Sequence, residues 1–169
     1  MEIWDFNLRH LRAAAETGRL RSINAAAYAV SLTQPAVTQA LARLEGQLGL
    51  PLFERRHDGV TPTPAADIFL PRVETALAHI ASQRVTMAQV RALMAFAAAG
   101  SYARASVETG LAQPSLHRAV NDLAVVLKRT VLERRGKGLA LTEAGRKTVR
   151  AFRLARAELA KATAGAGDA

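Results

Sequence analysis

Apolar residues recur at three- and four-residue spacing through most of this chain, which predicts a mainly α protein. In residues 6–18, Phe6, Leu8, Leu11, Ala14 and Ala15 make one apolar face, and Gly18 is expected to end that helix. Arg19-Leu20-Arg21 then reads as a basic loop, and Ser22 as the cap of a short alanine-rich helix over residues 23–30. Ser31-Leu32 makes a tight link into a third helix. Thr33 supplies its cap, Pro35 fits a first turn whose N–H is dispensable, and Val37, Leu41 and Leu44 form its apolar stripe. The opposite face presents Gln34, Thr38 and Gln39. Two β-prone segments flank His57-Asp58-Gly59 and predict a hairpin, with Arg55 and Arg56 beside its turn. Thr63-Pro64-Ala65-Ala66-Asp67 starts another helix, expected to run to about Gln83 and to be bent or split at Pro71. Its Phe69, Val73, Leu77 and Ile80 make a narrow seam of the coiled-coil kind.

The chain then repeats this pattern. Gln113-Pro114 lies 79 positions after Gln34-Pro35, and the same offset carries Ser22 to Ser101, Leu44 to Leu123, Glu54-Arg55-Arg56 to Glu133-Arg134-Arg135, and Thr63 to Thr142. For the first helix the offset is 82, because Arg19-Leu20-Arg21 is an insertion. The copies differ. Ala112 stands where Thr33 caps the first copy, and it offers no oxygen to the helix, at a cost of about 1 kcal/mol. The second polar face is Gln113, Ser115, His117 and Arg118, and a second long helix, including Phe152 and Leu159, follows Thr142 to about Ala162.

A helix held by its apolar back, with short or planar hydrogen-bonding side chains on its front, suits reading the edges of bases. Charge strengthens that picture: the net charge is +9 and favours a polyanionic partner. It is uneven, with nine Arg/Lys against eight Asp/Glu in residues 1–85 and fourteen against six in 86–169. Copy two is therefore expected to add affinity through phosphates while copy one discriminates. Without cysteine there are no disulfides or thiolate sites, and His117 has no partner at ligand spacing, so neither metal nor cofactor is expected. No Gly-rich phosphate loop, nucleophile–base spacing or paired carboxylates point to an enzyme; Glu45, Glu54 and Glu133 read as ion-pair residues. With neither a membrane-length apolar run nor a signal-peptide start, the expected location is the cytoplasm.

Gln34-Pro35-Ala36-Val37-Thr38, Leu44-Glu45, Leu48-Gly49, Leu52-Phe53-Glu54-Arg55 and Thr63 together resemble the winged helix-turn-helix of LysR-type transcriptional regulators, across roughly residues 6–66. Copy two carries the same scaffold but has Leu123-Ala124 and Leu127-Lys128 in place of Leu44-Glu45 and Leu48-Gly49. The resemblance implies two tandem winged helix-turn-helix domains, at 6–63 and 86–142. Linker or dimerisation helices are implied at 64–85 and 143–162, with a flexible tail at 163–169. It implies a sequence-specific regulator of transcription whose partner is double-stranded DNA, with RNA polymerase as a further partner.

The expected DNA contacts are Thr33, Gln34, Pro35, Ala36, Thr38, Gln39 and Arg43 in copy one, with Arg55 and Arg56 on its wing. In copy two they are Gln113, Pro114, Ser115, His117 and Arg118, with Arg134, Arg135 and Lys137 on the wing. Phe69, Val73, Leu77, Ile80, Phe152 and Leu159 are the expected pairing residues of the linker helices. Two such helices folded antiparallel within one chain would make a pseudo-dimer with recognition helices about 34 Å apart; pairing between chains would instead make a homodimer. The resemblance also implies an effector-sensing α/β domain beyond Ala169, so the sequence is either the DNA-binding part of a longer regulator or a regulator without its own sensor. A protein-interaction adaptor built of winged helices is the alternative reading.

Overall fold

Hydroxyl and amide caps set the helix starts in a computed structural model that describes residues 1–168. Unit 1 comprises Met1–Ala78 and the chain from Ala155 onward; unit 2 is His79–Leu154. In unit 1 the Asn7 side chain accepts the Arg9 N–H at the head of α1 (Leu8–Leu20), and Ser22 accepts from Ala25 at the head of α2 (Ile23–Ala29). Thr33 caps α3 (Gln34–Leu48), which ends on Gly49 at φ 72°, a left-handed value that suits glycine. Strands β1 (Phe53–Arg56) and β2 (Gly59–Pro62) pair antiparallel, with Arg56 opposite Gly59. Thr63 Oγ1 accepts the Ala66 N–H and opens α4 (Pro64–Ala78). Phe6, Leu11, Val37, Leu41, Leu44, Leu52, Phe69 and Val73 close the core.

Unit 2 repeats the plan. Thr86 and Gln89 form a capping box on α5 (Met87–Ala99), Ser101 caps α6 (Tyr102–Thr109), and α7 (Gln113–Leu127) starts at Ala112 with no side-chain cap bond. Strands β3 (Leu132–Arg135) and β4 (Gly138–Leu141) form the second hairpin, and α8 (Glu143–Gly167) follows. Phe96, Leu93, Leu116, Val120, Leu123 and Phe152 are buried at its centre.

Three boundaries differ from the sequence expectation. Helix α1 runs through Gly18 to Leu20 and turns at Arg21, so Arg19 is helical and bonded to Glu16 at 2.6 Å. Gly18 is a packing residue: a Cβ there would stand 2.5 Å from Leu70 Cδ1. Helix α4 continues through Pro71 but stops at Ala78, because Ser82 folds the following chain locally, accepting from the N–H groups of Arg84 and Val85. Its length is thus about 22 Å rather than about 30 Å. Helix α8 continues through the expected tail to Gly167, with Ala162 and Ala166 buried. Its small residues permit close helix approach: a Cβ on Gly165 would meet Ile68 Cγ2 at 2.8 Å. Ala169 lies outside the described residues.

Candidate nucleic-acid interface

The proposed reading face begins with how α3 is held. Val37, Ala40, Leu41 and Leu44 are buried, while Gln34, Gln39 and Arg43 are exposed and Ala36 and Thr38 half-buried. Ala26 and Ala27 are buried on α2, where only small side chains let α2 and α3 pack closely. Thr33 Oγ1 accepts the Ala36 N–H at 3.3 Å, while Gln34 at the first turn and Pro35 behind it remain at the surface. Burial first, then the Arg43 charge, holds the His10 imidazole below its ordinary value.

On the first wing Arg55 and Arg56 are exposed, and as neighbours in one strand they point to opposite faces. Arg56 reaches Glu54 at 3.3 Å. Glu45 does something the sequence reading missed. It makes no ion pair; its Oε1 accepts the backbone N–H groups of Leu52 at 2.8 Å and Phe53 at 3.1 Å, fastening the root of the wing to α3. The clue was only that a carboxylate eight residues from a strand start can reach it. Glu133 also makes no ion pair among the described residues. Removing the Glu45 carboxylate leaves two donors short of an acceptor, so Glu45→Ala should cost about 1–3 kcal/mol in thermal unfolding. A loss within a few tenths would mean that water replaces it fully.

In copy two Gln113, Pro114, Ser115, His117 and Arg118 are exposed on α7, and Leu116 and Val120 are buried behind them. His117 is not free on both faces: its ring lies 3.8 Å from that of Tyr102, which in turn lies 5.0 Å from Phe96. Burial pushes the Tyr102 phenol up to about 12. Arg134, Arg135 and Lys137 are exposed on the second wing, whose turn passes through Gly136 at φ 60°.

The six expected pairing residues are divided between the two units. Phe69 turns inward, its ring 6.4 Å from Phe6; Val73 and Leu159 are buried in unit 1, and Leu77 is half-buried. Ile80 lies beyond the end of α4 and, like Phe152, is buried in unit 2. Within unit 1, α4 meets the end of α8 through Arg72 with Glu158 at 3.0 Å and Ile68 with Gly165. Position falls on one helix as it rises on the other, so the two run antiparallel. Bonds from Lys161 first and Arg72 second hold the Glu158 carboxyl below its ordinary value.

The sequence model described as "Bacterial regulatory helix-turn-helix protein, lysR family" matches residues 8–67 and again 87–146. The HTH-type transcriptional regulator LinR of Sphingobium indicum is 42% identical over 67 residues, 40% of this chain and 22% of LinR. The HTH-type transcriptional regulator GalR of Pseudomonas putida is 28% identical over 166 residues, spanning 90% of this chain and 42% of GalR. A solved CbnR_DBD–DNA complex is 30% identical, covering 43% of this chain and 84% of that one, with a TM-score of 0.42. This chain therefore spans well under half the length of the two regulators. No helix among the described residues is long and apolar enough to cross a membrane. With both matched segments coinciding with the two capped helix-turn-helix and wing modules, the chain belongs to the lysR family of bacterial regulatory helix-turn-helix proteins.

Proposed function

We propose that this chain is a sequence-specific double-stranded DNA-binding transcription regulator. It works in the cytoplasm without catalysis of its own, through DNA and RNA polymerase. The observation that carries this reading is the exposed Gln34/Gln39 face at the head of α3, fixed by a buried apolar back and accompanied by wing arginines. Gln34, Thr38 and Gln39 read base edges, Thr33 and Arg43 approach the backbone, and Pro35 and Ala36 allow close approach. Copy two contributes Gln113, Ser115, His117 and Arg118, with Pro114 at its first turn. Arg55, Arg56, Arg134, Arg135 and Lys137 supply phosphate contacts.

The antiparallel Arg72–Glu158 and Ile68–Gly165 contacts support linker helices that pair inside one chain, hence a monomeric pseudo-dimer reading an asymmetric site. Light scattering that gave a stable dimer would replace this with a homodimer. The reading itself is tested by selecting bound genomic fragments with the intact chain, Gln34→Ala and Gln113→Ala. Gln34→Ala should lose about 1–3 kcal/mol on the selected site and little on random duplex. Equal losses on both would remove Gln34 from base reading, and no enriched sequence at all would remove the function.

A further inference from the structure

We propose that the cleft between the end of α7 and the start of β3 binds a carboxylate, supplied by a small organic acid with an apolar body. The argument rests on what the two copies do differently at one place. In copy one the Glu45 carboxylate fills the angle between helix and wing and takes the N–H groups of Leu52 and Phe53. The 79-residue offset places Ala124, Val131 and Leu132 at these three positions.

The donors persist without their acceptor. Thr142 donates its N–H to the Val131 carbonyl at 3.0 Å, as Thr63 does to Leu52 at 2.9 Å; among the described residues no bond returns from the Val131 N–H to Thr142, just as none returns from Leu52 to Thr63. The next pair, Leu132 with Leu141, is then non-hydrogen-bonded, and the Leu132 N–H points away from β4, as the Phe53 N–H points away from β2. Among the described residues no side chain accepts from Val131 or Leu132.

The angle between helix and wing is here a cleft of about 400 Å³, within the range of small-molecule sites. Val120, Ala124 and Val125 give it an apolar wall, and Lys128 and Arg129 give it two cations. Those cations stand where copy one has Gly49 and Leu50. Lys128 even adopts the left-handed conformation, φ 51°, that Gly49 holds at 72°. Copy two has thus exchanged a built-in carboxylate for two positive charges and two N–H donors around a vacant angle. An oxygen anion accepting both N–H bonds, with its apolar remainder on Val120 and Val125, completes it as Glu45 completes copy one.

The test is an amide NMR titration of the isotope-labelled full chain with phenylacetate, phenylacetamide and an acetylated glutamyl dipeptide, repeated on Ala124→Glu. Phenylacetate should move the Val131 and Leu132 amides saturably, and the isosteric amide should leave them in place. Ala124→Glu should shift the same two amides without ligand and abolish the response. No movement with phenylacetate at millimolar concentration, or equal movement with phenylacetamide, overturns the proposal. A response to the dipeptide alone overturns the small-acid source and assigns the cleft to a protein side chain. Should Ala124→Glu fail to fold, the titration of the unaltered chain still decides.

Discussion

Phe69→Ala is expected to lower the stability of unit 1 by about 3–5 kcal/mol, the range for deleting a buried aromatic ring. The ring is fully buried, tilted at 58° against Phe6 and lodged between α1 and α4. Both helices are pinned independently, α1 by Asn7 and α4 by Thr63, so neither can collapse freely into the cavity. The sequence holds one tryptophan, Trp4, which lies in unit 1 under the Arg156 guanidinium at 5.4 Å. Denaturant unfolding followed by its fluorescence therefore reports this unit. A midpoint shift worth less than about 1 kcal/mol would show that the ring contributes little to this core.

Gly145→Ala should destabilise unit 2 by about 3 kcal/mol, at the upper end for overpacking. A Cβ at Gly145 would collide with the Val131 carbonyl and press on Leu141 Cδ2 at 3.2 Å. The carbonyl cannot withdraw without breaking the bond it accepts from Thr142. Gly46→Ala is the natural contrast. It lies inside α3 with nothing within 4 Å of its virtual Cβ, so the same substitution should stabilise by about 0.5–1 kcal/mol through helix propensity. Thermal unfolding by circular dichroism separates the two signs. Stabilisation by Gly145→Ala would show that the wing root yields.

What could be read in advance follows from the range of the interaction. The Thr33 and Ser22 caps and the 79-residue repeat are local or periodic, and each stands where the residues indicated. Gly18 looked like a terminator because glycine usually is one, yet its role depends on Leu70, more than fifty residues away. The alanine–glycine run near the end looked loose because it lacks bulk, and lack of bulk is what lets it approach Ile68 closely. Phe69 has the helical spacing of a pairing seam, and its packing against Phe6 cannot be read from that spacing. Glu45 was assigned the wrong kind of partner for a similar reason, since charge suggests a cation while a wing root offers backbone donors.

The exposed polar faces of α3 and α7 are individually legible as pattern, whereas the stacking of His117 on Tyr102 is not. Spacing along α7 cannot reveal a ring contributed by α6. That contact leaves His117 with less rotational freedom than Gln113 or Arg118, which have no such clamp.

Both helix-turn-helix modules belong to one polypeptide. Their local concentration is consequently fixed by the connecting chain and does not fall when the protein is diluted. An assembly of two separate chains fills a bipartite target with the square of monomer concentration once dissociated. A tethered pair fills it with the first power. On the pseudo-dimer reading proposed above, low copy number would blunt a two-chain regulator sharply but a tethered pair only in proportion, and each module could drift in sequence without obliging the other to follow.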